Sequence, residues 1–310
     1  MNKKERLDNF LVSKGYFDTK SQAQGNILAG KVKINGEVLT KAGTQINPDK
    51  VENIEIQSMP YVSRGGFKLE KALKEFNINL TGKICLDAGA STGGFTDCML
   101  QSGAGKVYAV DVGYGQIAWK LRNDPKVEVI ERTNIRTITP EEIYKEENGK
   151  KSEFAEFCTM DLSFISIIKV LKNIKNLMNP EKHEIIALIK PQFEAGKDQV
   201  PKSGVIRDKN IHVNVIQNII DFACTINLSP VNLYENEFDF QKIGEAEFSE
   251  NRHSRFALTY SPIQGPAGNI EYLIHLKKSN PEQVCNSQEL EKSVIKTVEK
   301  AHEHFNPNKI

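Results

Sequence analysis

A glycine-rich turn after a short apolar run is the most specific chemical signal in the sequence. Leu86-Asp87-Ala88 leads into Gly89-Ala90-Ser91-Thr92-Gly93-Gly94. Such a turn between a strand and a helix forms a pocket for a nucleotide-like ligand at the carboxyl end of the strand. Glycines let a ligand approach the backbone closely, but their spacing here is not that of the dinucleotide fingerprint. A turn with a purely structural role is the alternative interpretation.

Two acidic residues indicate which ligand suits this turn. Asp87 ends the first apolar run, and Asp111 ends the next one, residues 107–110. The first carboxylate can meet a cationic amino group, and the second can accept hydrogen bonds from both hydroxyls of a ribose. Because the turn has no phosphate-binding lysine, the two acids favour S-adenosylmethionine, a cation without phosphates. The predicted contact residues are Asp87, Gly89, Ala90, Ser91, Thr92, Gly93, Gly94 and Asp111.

Opposite charges follow two later apolar runs. Asp161 follows residues 157–160, and Lys190 follows residues 185–189. Since parallel strands end at the same edge of a sheet, neighbouring strands place both charges in one cleft. A lysine directly after a buried strand favours a functional role. Lys68 and Glu271, taken alone, are typical of solvated surface.

The first 58 residues have the pattern of a separate module. Apolar residues recur at helical spacing in 7–11 and 23–28, and Asp18-Thr19-Lys20-Ser21 between them can end one helix and cap the next. Asn35-Gly36 predicts a hairpin, and residues 51–56 predict another strand. From residue 1 to 41 the module carries eight Lys and Arg against four Asp and Glu. This local positive excess suits a phosphate backbone.

Beyond Pro60, short apolar runs alternate with segments of helical period. The alternation predicts a Rossmann-like α/β domain with helices on both faces of a parallel sheet, next to a small N-terminal α+β domain. Residues 256–260 and 269–276 predict an antiparallel pair at one sheet edge, and an apolar stripe in 290–305 predicts a C-terminal helix. The predicted domains are residues 1–58, a linker at 59–66, a catalytic domain at 67–280 and a tail at 281–310.

Composition places the chain among globular proteins. Hydrophobic residues make up 39% and charged residues 26%, and a net charge of +1 means that any nucleic-acid footprint is local. Five cysteines without a metal-ligand spacing predict buried thiols of a reducing compartment. The N-terminus lacks a signal-peptide pattern, and residues 185–189 fall far short of the roughly 20 apolar residues of a membrane span. We therefore expect a cytoplasmic protein.

Longer motifs extend these single-residue signals along the chain. They are Arg6-Leu7-Asp8, Gly30-x-Val32-x-Ile34-Asn35-Gly36, Val62-Ser63-Arg64-Gly65-Gly66-x-Lys68-Leu69, Asp111-Val112-Gly113-Tyr114-Gly115-Gln116, Asp161-Leu162-Ser163-Phe164-Ile165-Ser166, Lys190-Pro191-Gln192-Phe193-Glu194 and Gly265-Pro266-x-Gly268-Asn269-x-Glu271. With these motifs the chain resembles the TlyA-type haemolysin A family, an S4 RNA-binding module joined to an FtsJ-like (RrmJ-like) 2′-O-methyltransferase domain. The resemblance covers about residues 5 to 277. It implies an S-adenosylmethionine-dependent enzyme that methylates a ribose 2′-hydroxyl, at cytidine, in 16S or 23S ribosomal RNA or both, with ribosomal RNA or ribosomal subunits as its partner.

The resemblance also implies the site residues. A Lys-Asp-Lys-Glu tetrad falls on Lys68, Asp161, Lys190 and Glu271. In a methyl transfer, Lys190 is the candidate base and Asp161 orients it, while Lys68 and Glu271 fix the nucleotide; the residue types alone do not decide between the two lysines as base. The chemistry requires no metal, and none is predicted. The expected RNA contacts are Arg6, Lys20, Lys31, Lys33 and Arg64.

One position departs from the family pattern, and two other functions stay open. S4 modules of this type usually show Ser-Arg at the start of the second helix, where this chain has Ser21-Gln22, which predicts the loss of one phosphate contact. A non-catalytic RNA-binding or ribosome-assembly protein is one alternative, and the complete tetrad argues against it. A membrane-active haemolysin is the other. It is disfavoured because the sequence has no apolar span and no long basic amphipathic helix.

Overall fold

The computed structural model divides the chain into two compact units, Met1–Pro60 and Tyr61–Ile310. It describes residues 4–17, 19–56, 59–147, 150–151, 153–233, 256–278 and 288–306. Asp18 of the predicted capping segment and Cys285, one of the five cysteines, lie outside these ranges. Residues 61–66, predicted to be part of a linker, belong to the second unit, and Gly65 already begins its first helix.

The first unit packs two helices against short strands. Its elements are β1 (Glu5–Arg6), α1 (Leu7–Ser13), α2 (Lys20–Leu28), β2 (Val32–Ile34), β3 (Glu37–Val38), β4 (Gln45–Ile46), a 3₁₀ turn (Pro48–Lys50) and β5 (Ile54–Ile56). β2 pairs antiparallel with both β3 and β5. Leu7, Leu11 and Ile27 from the helices meet Val32 of β2 in one apolar cluster. The predicted pair of helices, the hairpin and the third strand are confirmed.

The second unit is an α/β domain. Its elements are α3 (Gly65–Glu75), β6 (Ile84–Ala88), α4 (Gly94–Gln101), β7 (Lys106–Val110), α5 (Trp119–Arg122), β8 (Val127–Ile130), α6 (Pro140–Ile143), β9 (Glu146–Glu147), β10 (Lys150–Lys151), β11 (Phe157–Met160), α7 (Ile168–Leu177), β12 (Glu184–Ile189), α8 (Pro191–Glu194), α9 (Lys209–Thr225), β13 (Leu228–Pro230), β14 (Leu258–Tyr260), β15 (Tyr272–Lys278) and α10 (Gln288–Phe305).

The main sheet has the order β13-β15-β12-β11-β6-β7-β8, with β14 also paired to β15. The strands from β12 to β8 are parallel, and β15 runs antiparallel to them. β14 and β15 form the antiparallel pair that the sequence predicts, and β13 extends the same edge. From β6 the chain moves first toward β8 and later toward β12. This reversal creates a crevice at the carboxyl ends of the central strands.

Helices cover both faces of this sheet. Cys85 of β6 packs in an apolar cluster with α3 and α4, whereas its neighbour Leu86 packs in the cluster that contains α7, α9 and α10. Successive strand residues point to opposite faces, so both faces must be apolar. The continuous apolar runs of the sequence reflect this double burial, and the predicted Rossmann-like class is confirmed.

The cysteines only partly match their prediction. Cys85, Cys98 and Cys158 are free and buried, as expected. Cys224, near the end of α9, is disulfide-bonded, so the expectation of a free thiol is wrong for this residue. The spacing of cysteines in a sequence does not reveal pairing between distant positions.

Candidate active site

The charged residues that the sequence singles out lie at the edge of the main sheet where its parallel strands end. The residues that directly follow these strands are Gly89, Asp111, Asp161 and Lys190. β15 runs the other way and pairs its first residue, Tyr272, with Ile189 at the end of β12. Glu271, directly before β15, therefore lies at the same edge as Lys190.

The four predicted tetrad residues lie in one cleft as two pairs. Lys190 Nζ lies 2.6 Å from Asp161 Oδ1. Lys68 Nζ, from α3, donates a hydrogen bond of 2.6 Å to Glu271 Oε2. All four line a cavity of about 440 Å³. The prediction that Asp161 and Lys190 share a cleft is confirmed.

Lys68 and Glu271 are buried, although their residue types suggested solvated surface. Lys68 is 6% exposed and Glu271 is 1% exposed. Desolvation raises the pKa of Glu271, while the charges of Lys68 and Lys190 act in the opposite direction. A buried charge is costly unless it is paired. Each member of this pair therefore holds the other in place inside the cleft.

A fifth side chain contacts the tetrad, and sequence reasoning did not select it. Lys190 Nζ donates a hydrogen bond of 2.9 Å to Ser163 Oγ. Ser163 lies on the loop after β11, two residues beyond Asp161. The Asp161-Leu162-Ser163 motif could have indicated this residue. Ser163 follows Asp161 by two residues, so its hydroxyl lies at the same edge of the sheet.

The turn after β6 follows a path that requires glycine at two positions. Gly89 and Gly93 have φ of 87° and 91°, in the region that L side chains rarely adopt. A Cβ on Gly89 would lie 2.7 Å from the backbone oxygen of Asp161, and one on Gly93 would overlap the side chain of Leu121. The turn therefore packs directly against the end of β11. The predicted contact residues that line the tetrad cavity are Gly89, Ala90, Ser91, Thr92 and Gly94.

Asp111 binds this turn from the neighbouring strand. Its Oδ2 accepts a hydrogen bond of 2.8 Å from the Ser91 backbone N–H, and its Oδ1 accepts one of 2.7 Å from the Gly113 N–H. The carboxylate also lines a second cavity of about 490 Å³. Each carboxylate oxygen has two lone pairs, so Asp111 keeps acceptor capacity for ligand hydroxyls.

Asp87 lies within β6 and lines neither of the two cavities, and its contact with a cofactor stays a prediction. Its side chain is 0% exposed, and its two carboxylate oxygens accept hydrogen bonds of 2.6 Å from Thr96 and 2.9 Å from Thr159. Desolvation raises the pKa of Asp87 to about 6. β6 continues to Ala88, so that Asp87 is a strand residue that pairs with Thr159 of β11.

The two cavities share a wall formed by Gly89, Ser91, Asp161 and Ser163. The second cavity combines the Asp111 carboxylate with apolar side chains, which are Val112, Ile135 and Leu162. A carboxylate for ribose hydroxyls and apolar walls for a purine ring fit the nucleoside part of S-adenosylmethionine. The second cavity therefore lies next to the tetrad.

In the first unit, a buried acidic residue holds the side chain of Arg6. Arg6 donates two hydrogen bonds, of 3.0 and 2.7 Å, to the carboxylate of Asp8, and Gln24 donates a third of 2.8 Å. Lys20 Nζ lies 3.9 Å from the same carboxylate. The hydrogen bond from Arg6 holds the pKa of Asp8 well below its usual range. Asp8 therefore fixes Arg6 beside Lys20.

The remaining candidate RNA contacts have other surroundings. Lys33 is exposed and lies 3.6 Å from Glu55, while Lys31 is half-buried before β2. Arg64 is exposed and belongs to the second unit, where it lines the tetrad cavity at the start of α3.

A capping box starts the second helix of the first unit. Thr19 is the N-cap of α2, and its side chain accepts a hydrogen bond from the Gln22 backbone N–H while the Gln22 side chain accepts one from the Thr19 N–H. Lys20 is the first helical residue. A hydroxyl and a cation stand at this helix start, and the loss of a phosphate contact at Ser21-Gln22 stays a prediction.

Among the described residues, no helix is long and apolar enough to cross a membrane. Within the same residues, no group of three His, Cys, Asp or Glu side chains could hold a metal ion.

Comparison with known proteins defines the class. Residues 61–238 match the FtsJ-like methyltransferases, and residues 5–51 match the S4 domain. The chain belongs to the FtsJ-like methyltransferase family and carries an S4 domain ahead of the catalytic domain. The family and its fold imply the use of S-adenosylmethionine. These matches confirm the resemblance derived from the motifs.

Individual relatives match over nearly their whole length. Hemolysin A of Brachyspira hyodysenteriae is 44% identical, over 87% of this chain and 98% of its own. The 16S/23S rRNA (cytidine-2′-O)-methyltransferase TlyA of Mycobacterium tuberculosis is 36% identical, over 96% and 98%. A solved structure from Streptococcus thermophilus, described as a hemolysin, has a TM-score of 0.67 and 36% identity, covering 100% of this chain and 99% of that one.

Proposed function

We propose that this protein transfers a methyl group from S-adenosylmethionine to a ribose 2′-hydroxyl of ribosomal RNA, at a cytidine of the 16S or 23S RNA or of both. The observation that carries the proposal is that two ion pairs, Lys190–Asp161 and Lys68–Glu271, line one cavity. This cavity shares a wall with the second cavity, which Asp111 lines. The name of the 36% identical relative from M. tuberculosis supports the choice of substrate. A ribosomal substrate places the reaction in the cytoplasm.

Lys190 serves as the general base. When bound, S-adenosylmethionine supplies an activated methyl group on a sulfonium. That methyl group would be the electrophile for the ribose O2′, and sulfur would retain the electron pair of the broken C–S bond. The hydroxyl proton passes to the neutral Nζ of Lys190 and from there to water. Asp161, 2.6 Å from Nζ, stabilises the ammonium that results.

Lys68 and Glu271 hold the nucleotide in line with the methyl group. Their mutual hydrogen bond fixes both side chains inside the cleft, so each keeps its direction when RNA enters. Holding the hydroxyl at the reacting distance supplies a large part of the rate, because the reaction then loses little further freedom.

The cofactor is held by the turn and by Asp111. Gly89 and Gly94 line the tetrad cavity, and Asp111 accepts hydrogen bonds from the ribose hydroxyls of the cofactor. The RNA is held through its phosphates by the basic residues, which are Arg6, Lys20, Lys31, Lys33 and Arg64. Because such contacts release counterions, we expect RNA affinity to fall steeply with salt.

Substitution of Lys190 tests the proposal. We expect Lys190→Ala to lower methyl transfer to ribosomal subunits by about 10²- to 10⁴-fold and to leave S-adenosylmethionine affinity nearly unchanged. Lys190→Arg is expected to fail as well, because a guanidinium keeps the charge but accepts no proton. Transfer of labelled methyl groups and calorimetry with the cofactor measure the two effects.

The matched control is Lys182→Ala, since the Lys182 side chain is 69% exposed and pairs only loosely, at 3.9 Å, with Glu156. It is expected to retain the wild-type rate. A Lys190→Arg enzyme that methylates at the wild-type rate would mean that Lys190 is an electrostatic clamp and that the base is another residue, with Lys68 next in line.

A further inference from the structure

Ser163 and Asp161 contact the amine of Lys190 in different ways. Lys190 Nζ donates a hydrogen bond of 2.9 Å to Ser163 Oγ. Its contact of 2.6 Å with Asp161 Oδ1 is an ion pair without hydrogen-bond geometry, because that oxygen has no hydrogen-bond partner in the described part of the chain. Asp161 therefore attracts the charge of the ammonium, whereas Ser163 sets the direction of one N–H bond.

This difference matters most in the form of Lys190 that accepts a proton. A neutral amine has two N–H donors and one lone pair, and it has no net charge for Asp161 to attract. The hydrogen bond to Ser163 needs only an N–H, so it is available in both forms. With one N–H directed to Ser163, the lone pair faces another direction. Because Lys190 lines the tetrad cavity, the lone pair is available to a group that enters this cavity.

The loop that carries Ser163 is fixed to the segment that carries Lys190. Glu194 accepts hydrogen bonds of 2.7 Å from Ser166 Oγ and 2.8 Å from the Ile167 N–H. Glu194 ends the short helix α8, which starts directly after Lys190. The loop and the helix are thus joined by these bonds as well as by the one between Lys190 and Ser163. Such double anchoring preserves the distance between the two side chains.

We propose that Ser163 is a positioning residue, whose hydroxyl holds the neutral Lys190 amine with its lone pair toward the ribose hydroxyl. The inference rests on the proposed function, with Lys190 as base. Ser163 also lines both cavities, which places its hydroxyl at the wall between the cofactor and the nucleotide. It extends the tetrad by one residue that acts on the substrate only through Lys190.

The kinetic test compares Ser163→Ala with Ser163→Thr in the full chain. We expect Ser163→Ala to lower kcat for methylation of ribosomal subunits by about 10- to 100-fold, because the base is no longer held in line. Cofactor and RNA dissociation constants are expected to stay within about 3-fold of wild type. Ser163→Thr retains the hydroxyl and is expected to restore most of the rate.

The matched control is Ser166→Ala, which removes a hydroxyl from the same loop whose partner is Glu194 and not Lys190. It is expected to keep a kcat near the wild-type value, because the hydrogen bond from the Ile167 N–H to Glu194 still joins the loop to α8. An equal loss of rate in both alanine variants would show that the loop, and not the Ser163 hydrogen bond, is responsible. Wild-type kcat in Ser163→Ala would likewise overturn the proposal.

A pH series separates positioning from a structural role. A charged donor makes the stronger hydrogen bond, so loss of Ser163 Oγ disfavours the ammonium more than the amine. The acidic limb of the rate profile is therefore expected to move to lower pH in Ser163→Ala, while the plateau falls. Among the described residues, the other charged groups that line the cavity with Lys190 are Arg64, Lys68, Asp161 and Glu271, and they are unchanged in every variant. A lowered plateau with an unmoved limb would contradict the proposal.

A second readout does not depend on methyl transfer. Acetic anhydride acetylates neutral amines, and mass spectrometry of the Lys190 peptide over a pH series gives the midpoint of its reactivity. We expect this midpoint to fall in Ser163→Ala and to stay in place in Ser166→Ala and Ser163→Thr. An unchanged midpoint in Ser163→Ala would overturn the proposal for Ser163, whether or not the protein transfers methyl groups. A wild-type protein that transferred no methyl group would refute the proposed function, and that result is separate.

Discussion

Asp87 and Asp111 look alike in the sequence, each as an acid at the end of an apolar run, but they occupy different environments. Asp111 is the first residue after β7 and faces a cavity, whereas Asp87 is inside β6 and faces Thr96 and Thr159. The sequence pattern did not show that β6 extends to Ala88. A shift of one or two residues at a strand end decides whether a side chain meets a ligand or the core.

At Asp111 the expected effect is on the cofactor. Asp111→Ala removes the carboxylate that accepts from Ser91 and Gly113 and that lines the second cavity. We expect S-adenosylmethionine affinity to fall by about 10- to 150-fold, the equivalent of about 1.5–3 kcal/mol. Calorimetry measures it, with the exposed Asp221→Ala as the control that should bind normally. Wild-type affinity in Asp111→Ala would remove Asp111 from the cofactor site.

At Asp87 the expected effect is on stability and its dependence on pH. Its pKa of about 6 lies above the ordinary 3.8, so folding favours the protonated carboxyl. The contribution of Asp87 to the free energy of unfolding is complete below about pH 4 and is lost as the pH rises through about 6. The size of this change is about 3 kcal/mol. Asp87→Asn does not titrate there. Urea denaturation of both proteins across this range is expected to show wild type losing stability relative to Asp87→Asn as the pH rises, and a constant difference would contradict the assignment.

At the scale of elements, alternation of apolar runs and helical segments was sufficient to predict the sheet and its main helices. The same pattern predicted that the residues after β11 and β12 meet at one edge. It could not predict that Lys68 and Glu271 are buried partners, because their contact joins α3 to the start of β15 across 203 positions of sequence. Contacts of that range depend on the assembled fold and leave no local signal.

The start of α2 shows why local boundaries are difficult to predict. Thr19 and Ser21 are both acceptable N-caps, and both lie in the segment predicted to cap the helix. The capping box between Thr19 and Gln22 selects the first. Gln22 therefore has a structural task at the helix start, and Lys20 is the cation next to Asp8.

Two substitutions in α2 are expected to have different effects. Lys20→Ala removes a cation, so we expect weaker binding to ribosomal subunits and a slope of log affinity against log salt that is reduced by about 1. Gln22→Ala removes part of the capping box, so we expect a stability loss of up to about 1 kcal/mol without a change of that slope. Binding titrations over a salt series check both. Equal slopes in Lys20→Ala and wild type would exclude a phosphate contact at Lys20.

At the scale of the whole molecule, charge is distributed unevenly. The chain as a whole has a net charge of +1, and yet residues 1–41 carry twice as many basic as acidic side chains. The first unit thus carries the positive excess, and the second unit carries the paired charges of the tetrad. This division suits an enzyme that binds RNA through its backbone and performs its chemistry in a nearly neutral cleft.

A map of ribose 2′-O-methyl groups in ribosomal RNA tests the central claim most directly. The map is made in cells that lack the protein, in cells that regain it, and in cells that regain Lys190→Ala at the same level. The account predicts at least one methylated cytidine that appears only with the wild-type protein. Identical maps in all three would contradict methyl transfer to ribosomal RNA, and a cytidine that is also methylated with Lys190→Ala would contradict the role of Lys190.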